Sequence, residues 1–82
     1  MNNALAKLIM EALKRADGYT LPESTLVTTL KSMVVPTAED EDFSASFRLL
    51  IQRDMVGFKK DDITDERHFF LKSKGEAWVL KH

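Results

Sequence analysis

The chain has 82 residues, of which 44% are hydrophobic and 30% charged, with a formal net charge of −1. This length fits one small domain spanning residues 1–82, and the composition excludes a disordered chain. The near-neutral charge argues against a strongly basic nucleic-acid binder, and the lack of cysteine excludes disulfides and thiolate metal sites.

The first predicted helix carries a single apolar stripe. Apolar residues recur at spacings of three and four, which is typical of one buried helix face: Leu5, Leu8, Ile9, Ala12, Leu13 and Ala16. Gly18 is suited to end this helix. The triplet 19–21 that follows is predicted to be extended, because the residue before Pro22 is steered away from helical angles.

Two further helices follow. The second is predicted to begin near Pro22 and to bury Leu26, Val27, Leu30, Met33 and Val34. The third is predicted to begin near Thr37, whose hydroxyl is a suitable N-cap, and to stop close to Asp54. Its helical period places four apolar residues on one side: Phe43, Phe47, Leu50 and Ile51. The opposite side presents Glu41, Ala45, Arg48, Leu49 and Gln52.

A β-hairpin is predicted next. Residues 56–60 and 67–71 alternate in character like two strands, and the polar hexapeptide 61–66 connects them. Alternation places four apolar residues on the face toward the helices: Val56, Phe58, Phe69 and Leu71. We expect these four to pack with Phe43, Phe47 and Leu50, while His68 and Phe70 point the other way. A short apolar helix carrying Trp78 ends the chain.

The order helix, extended triplet, helix, helix, hairpin, helix resembles the winged helix-turn-helix superfamily over nearly the whole chain. Residues 18–23 resemble the turn, short strand and second-helix start of small prophage-encoded winged-helix proteins. Residues 70–75 resemble the Leu-Thr-x-x-Gly exit from the wing in bacterial regulators, although Lys72 stands where a hydroxyl residue is usual. The resemblance implies an α+β fold with three helices, a β-hairpin wing, a short C-terminal helix and a small third strand from the triplet.

The same resemblance implies DNA binding through the third helix and the wing. Arginine and glutamine read guanine and adenine edges, and basic side chains on a wing contact phosphates. The candidate DNA-binding residues are Arg48, Gln52 and Arg53 on the third helix and Lys59, Lys60 and Arg67 on the wing. Each helix candidate has the alternative of a solvated position. Each wing candidate has the alternative of pairing with a neighbouring carboxylate.

An acidic run at the start of the third helix opposes this function. Residues 37–54 have a charge balance of −3, and acidic side chains in a first helical turn favour its dipole but repel phosphates. Either the helix does not dock in the usual way or this turn faces a protein. The candidate protein-interaction residues are Glu39, Asp40, Glu41, Asp42, Leu49, Phe70 and Trp78. Trp78 either covers Phe70 within one chain or forms a dimer contact with it.

Catalysis has little support in the sequence. The two histidines, His68 and His82, have no catalytic or metal-ligand partners at suitable spacing, and the acidic run 61–66 lacks the pattern of an EF-hand. We therefore expect no enzymatic activity, cofactor or metal. No apolar run approaches the roughly 20 residues needed to cross a bilayer, and the first residues lack a secretory-signal pattern, so a cytoplasmic location without membrane contact is expected.

Two functional hypotheses follow from these patterns. The first is a small DNA-binding winged-helix protein, of transcriptional-regulator type or phage-related, that binds duplex DNA as a homodimer. The second is a winged-helix protein-interaction module that uses the acidic face of the third helix to engage a basic protein and does not bind DNA.

Overall fold

The computed structural model describes residues 3–16, 19–33 and 36–81, which form four helices and a three-stranded antiparallel sheet. The predicted helix stop at Gly18, the inner-face position Val34 and His82 lie outside these residues, as does the side chain of Met33. The α+β class is confirmed. The elements are α1 (Asn3–Arg15), β1 (Leu21–Pro22), α2 (Glu23–Met33), α3 (Asp40–Gln52), β2 (Val56–Lys60), β3 (Arg67–Leu71) and α4 (Ser73–Lys81).

The sheet has the strand order β1-β3-β2, so the hairpin strand β3 lies in the middle. The predicted strand ranges of the hairpin are confirmed, with Phe58 paired with Phe69 and Gly57 with Phe70. The predicted third strand is present but shifted, because Pro22 pairs with His68 in β1 and α2 begins one residue later. Proline has no N–H to donate, and an edge strand tolerates this.

The start of α3 differs from the prediction. Thr37 is not its N-cap; Glu39 is, and the helix begins at Asp40. The side chain of Asp42 accepts a hydrogen bond of 2.9 Å from the backbone N–H of Glu39, which satisfies a donor at the helix start. The carboxylate of Asp42, at the third helical position, thus fixes the start of α3, rather than the hydroxyl of Thr37.

The end of α3 lies where the sequence predicts it. Asp54 has a φ of 61°, in the left-handed region, which stops the helix and turns the chain into β2. Its carboxylate accepts a 2.5 Å hydrogen bond from Lys72 Nζ, and this contact holds the pKa of Asp54 below its ordinary value. The turn is therefore fastened to the segment that leads into α4.

The core joins α1, α2 and α3 to the inner face of the sheet. Five of the seven residues predicted to form it are buried: Phe43, Phe47, Leu50, Val56 and Phe69. Phe47 stacks on Phe69 with ring centroids 4.4 Å apart. Leu71 is only partly buried, and Phe58 is 39% exposed, so its placement in the core is wrong. Phe58 faces the core side and contacts the ring of Phe69. Because β2 is an edge strand, however, it has a neighbouring strand on one side only, and Phe58 remains partly exposed.

A close backbone contact brings α4 against the end of α3. The backbone N–H of Lys72 donates to the carbonyl of Met55 at 3.0 Å, and a Cβ built on the buried Gly75 would lie 2.2 Å from that same oxygen. Glycine at this position is what allows the approach. Within the described ranges, no helix is both long and apolar enough to span a bilayer.

Candidate functional site

The helix α3 and the hairpin face each other across a solvent-open depression of about 280 Å³. It is lined by Ser44, Arg48, Ile51, Gln52 and Arg67, and we call it the α3–hairpin cleft. The four α3 residues share a helix face because their spacings are three, four and seven residues. Arg67 enters from the first position of β3. The cleft therefore combines three of the six residues predicted from the sequence to contact DNA.

Arg67 is held by several contacts at the edge of the cleft. Its Nη2 pairs with Oε1 of Glu23, the first residue of α2. Its guanidinium carbon lies 5.0 Å from the ring centroid of Phe69 and 5.4 Å from that of Phe58. Cation–π contacts of this kind fix the plane and position of a guanidinium. The Arg67 side chain nevertheless remains 31% exposed.

A second contact at the same end of the hairpin involves Glu66. Its Oε1 accepts hydrogen bonds from the hydroxyl of Ser24 at 2.6 Å and from the backbone N–H of Ser24 at 3.2 Å. These bonds lower the pKa of Glu66, with the hydroxyl contributing most. Together with the pair between Arg67 and Glu23, they fasten the tip end of the hairpin to the start of α2.

The acidic first turn of α3 is partly occupied by internal contacts. Asp42 bonds the helix start, as described above, and Asp40 pairs with Lys31 of α2 at 2.6 Å. Glu39 and Glu41 are exposed. Glu39 also belongs to the capping box with Asp42, so three of the four carboxylates have contacts within the chain, although all four residues are exposed.

The remaining DNA-binding candidates lie elsewhere. Arg53 follows α3 and lines a small depression with Trp78 and Leu49, apart from the α3–hairpin cleft. Lys59 pairs in register with His68 on the outer face of the sheet. Lys60 lies 3.8 Å from Asp65, the local pairing that the sequence left open as an alternative. The structure thus divides the six candidates between different surfaces.

The predicted apolar contact residues are all partly covered. Leu49 and Trp78 are half-buried and line the small depression beside α1 with Met10 and Met55. Phe70 is half-buried and lies over Gly57, where an added Cβ would come within 2.5 Å of its ring. Phe70 also lines a separate groove with Tyr19 and other residues. Trp78 and Phe70 therefore line different depressions.

The hairpin tip is a tight, acidic turn. Asp61 Oδ1 accepts hydrogen bonds from the backbone N–H groups of Ile63 at 2.8 Å and Thr64 at 3.1 Å, and these bonds lower the pKa of Asp61. Ile63 at the apex is 94% exposed. Among the residues that the structure describes, no group of three or more His, Cys, Asp or Glu side chains is arranged to hold a metal ion.

Sequence reasoning missed three polar residues that shape this site. Glu23 and Ser24 contact residues 44 and 42 positions later in the chain, and no local pattern signals such pairs. Ser44 of α3 is small and exposed and lines the cleft. Its place on the same helical face as Arg48 is the one signal that was available.

Comparison with known protein families, with curated proteins and with solved structures finds no match to this chain.

Proposed function

We propose that this chain is a winged-helix protein of transcriptional-regulator type that binds duplex DNA, acting as a dimer. In this assignment β2 and β3 are the wing and α3 is the recognition helix. The order of the elements supports it, since a short strand precedes α2 and pairs with the second hairpin strand. The resemblance described above implies the same arrangement.

The observation that carries the proposal is the shared position of Arg48, Gln52 and Arg67 in the α3–hairpin cleft. Arg48 and Gln52 are exposed, and their side-chain types form bidentate hydrogen bonds with guanine and adenine edges. In this proposal Arg67, on the wing side, contacts a phosphate next to the groove that the helix enters. One surface thus offers side chains for both base contacts and phosphate contacts.

The acidic first turn weakens the proposal less than the sequence suggests. Glu39 and Asp42 form the capping box of α3 and Asp40 is paired with Lys31, so three of the four carboxylates have contacts within the chain. The DNA contacts are assigned to the second half of α3, more than one helical turn from this region. Glu39, Glu41 and Asp42 have no ion pair among the described residues and remain as the opposing negative charges.

The test is binding to duplex DNA at low salt, measured by fluorescence anisotropy, for the wild type and Arg48→Ala. We expect Arg48→Ala to weaken binding about tenfold or more, because a bidentate base contact contributes roughly 1–3 kcal/mol. Arg15→Ala is the matched control, since it removes an exposed arginine of α1. Absence of binding by the wild type, or equal losses in the two variants, would overturn the proposal.

The second candidate function is a protein-interaction module. The exposure of Glu39 and Glu41 at the start of α3 favours it, because an acidic surface fits a basic partner. Replacing both residues with glutamine discriminates between the two functions, since neither side chain takes part in an ion pair among the described residues. The change should strengthen DNA binding if the first proposal holds. If the protein-interaction function holds instead, the change should not produce binding to DNA.

A further inference from the structure

The two arginines of the α3–hairpin cleft differ in their charge environment. Arg67 pairs with Glu23 and lies over two aromatic rings, while Arg48 has no ion-pair partner within the described ranges. The side chains of Arg67 and Glu23 are both about one-third exposed, so their pair is accessible to solvent, with Arg67 lining the cleft and Glu23 lining a neighbouring depression. A ligand phosphate approaching Arg67 therefore meets the carboxylate of Glu23 as well.

This arrangement makes Glu23 a competitor of phosphate. A carboxylate and a phosphate both pair with guanidinium, and the negative charge of one repels the other. In the free protein, the ion pair with Glu23 already neutralises the charge of Arg67. A DNA phosphate can pair with Arg67 only if the ion pair between Arg67 and Glu23 is broken or shared.

Resting on the proposed function, we propose that Glu23 masks Arg67 and keeps the wing from making its phosphate contact in the free protein. The rings of Phe58 and Phe69 hold the guanidinium in place, so removing the Glu23 charge leaves Arg67 oriented toward the cleft. Glu23 is thereby an inhibitory residue for DNA binding, and its neutralisation adds one phosphate contact.

Glu66 provides a matched control at the same end of the wing. It is the neighbour of Arg67 in the chain and also bonds the start of α2, but its partner is Ser24. Glu66→Gln removes one negative charge close to the cleft without breaking the Arg67 pair. A general effect of negative charge would appear in both variants, whereas unmasking of Arg67 would appear only in Glu23→Gln.

The experiment compares the wild type, Glu23→Gln and Glu66→Gln in their binding to the same duplex over a range of salt concentrations. We expect Glu23→Gln to bind about two- to fivefold more tightly at low salt, the factor that corresponds to an exposed ion pair. Its plot of log K against log salt should be steeper by about 0.9, because one more phosphate is neutralised. Adding Arg67→Ala to Glu23→Gln should remove both gains.

The outcomes separate this proposal from the proposed function. If the wild type binds DNA but Glu23→Gln has unchanged affinity and slope, the masking proposal is wrong and the DNA-binding proposal stands. If Glu66→Gln matches Glu23→Gln, the effect is general charge and masking is wrong. If neither the wild type nor Glu23→Gln binds DNA, both proposals fail together. Thermal unfolding of each variant checks that the fold is retained.

Discussion

The carboxylate of Glu66 caps the start of α2 by accepting hydrogen bonds from both the hydroxyl and the backbone N–H of Ser24. The first N–H groups of a helix have no partner within the helix, and its dipole favours a negative charge there. The adjacent pair of Arg67 with Glu23 makes the second contact. Two contacts that involve charged side chains therefore fasten the tip end of the hairpin to the start of α2.

This cap predicts a specific pH dependence. The pKa of Glu66 is lowered, chiefly by the Ser24 hydroxyl, so the stabilisation is present above the ordinary glutamate pKa and is lost as pH falls through the lowered value. Ser24→Ala should raise the Glu66 pKa and reduce the loss of stability in acid. NMR titration of the Glu66 carboxyl carbon in both proteins measures this. An ordinary pKa for Glu66 in the wild type would show that the cap does not form.

The stacked pair of Phe47 and Phe69 predicts unequal costs for two phenylalanine truncations. Phe47 is 1% exposed, and Phe47→Ala should lower the free energy of unfolding by about 3–5 kcal/mol. Phe58→Ala should cost clearly less, because Phe58 is already 39% exposed. Urea denaturation of both variants checks the order. Equal losses would contradict the placement of Phe58 at the open edge of the sheet.

The two glycines of the hairpin region should differ in their tolerance of alanine. At Gly75 the new Cβ would meet the rigid backbone oxygen of Met55, so Gly75→Ala should destabilise the protein by about 1–3 kcal/mol or more. At Gly57 the obstacle is the end of the Phe70 ring, which can rotate away, so Gly57→Ala should cost less. Thermal unfolding of the two variants gives the comparison. A stable Gly75→Ala variant would show that α4 can shift away from Met55.

Removing the hydroxyl of Ser46 should stabilise the protein. It is 1% exposed on the buried side of α3, and its Oγ has no hydrogen-bond partner among the described residues. Ser46→Ala removes an unsatisfied polar atom and increases helix propensity, so stability should rise by about 1 kcal/mol. Chemical denaturation measures the change. A loss of stability would mean that the hydroxyl bonds a backbone carbonyl of the preceding helical turn.

The last helix is where we expect self-association. Leu80 is 73% exposed and Trp78 is half-buried, so α4 presents apolar surface that a second copy can cover. Sedimentation at micromolar concentration should show a dimer, and Leu80→Glu should convert it to a monomer. Ser73→Glu adds the same charge at an exposed position of α4 and should leave the dimer intact. A wild-type monomer would contradict the dimer in the proposed function.

The sequence determined the local features that short-range physics controls. Alternation in the hairpin predicted both strand ranges, because side chains of a strand point alternately to two faces. Helical spacing likewise identified Phe43, Phe47 and Leu50 as buried. The end of α3 close to Asp54 was also predicted, since the apolar helical pattern ends at Ile51. These features depend on neighbours within a few positions.

Only the tertiary structure decided which charged residues are available to a ligand. Glu23 and Arg67 lie 44 positions apart, and Lys31 near the end of α2 pairs with Asp40, the first residue of α3. Phe58 has the correct face but is exposed, because the strand order places β2 at the edge of the sheet. Periodicity fixes the face on which a side chain lies. The partner that covers or neutralises it comes from a distant segment, which periodicity does not specify.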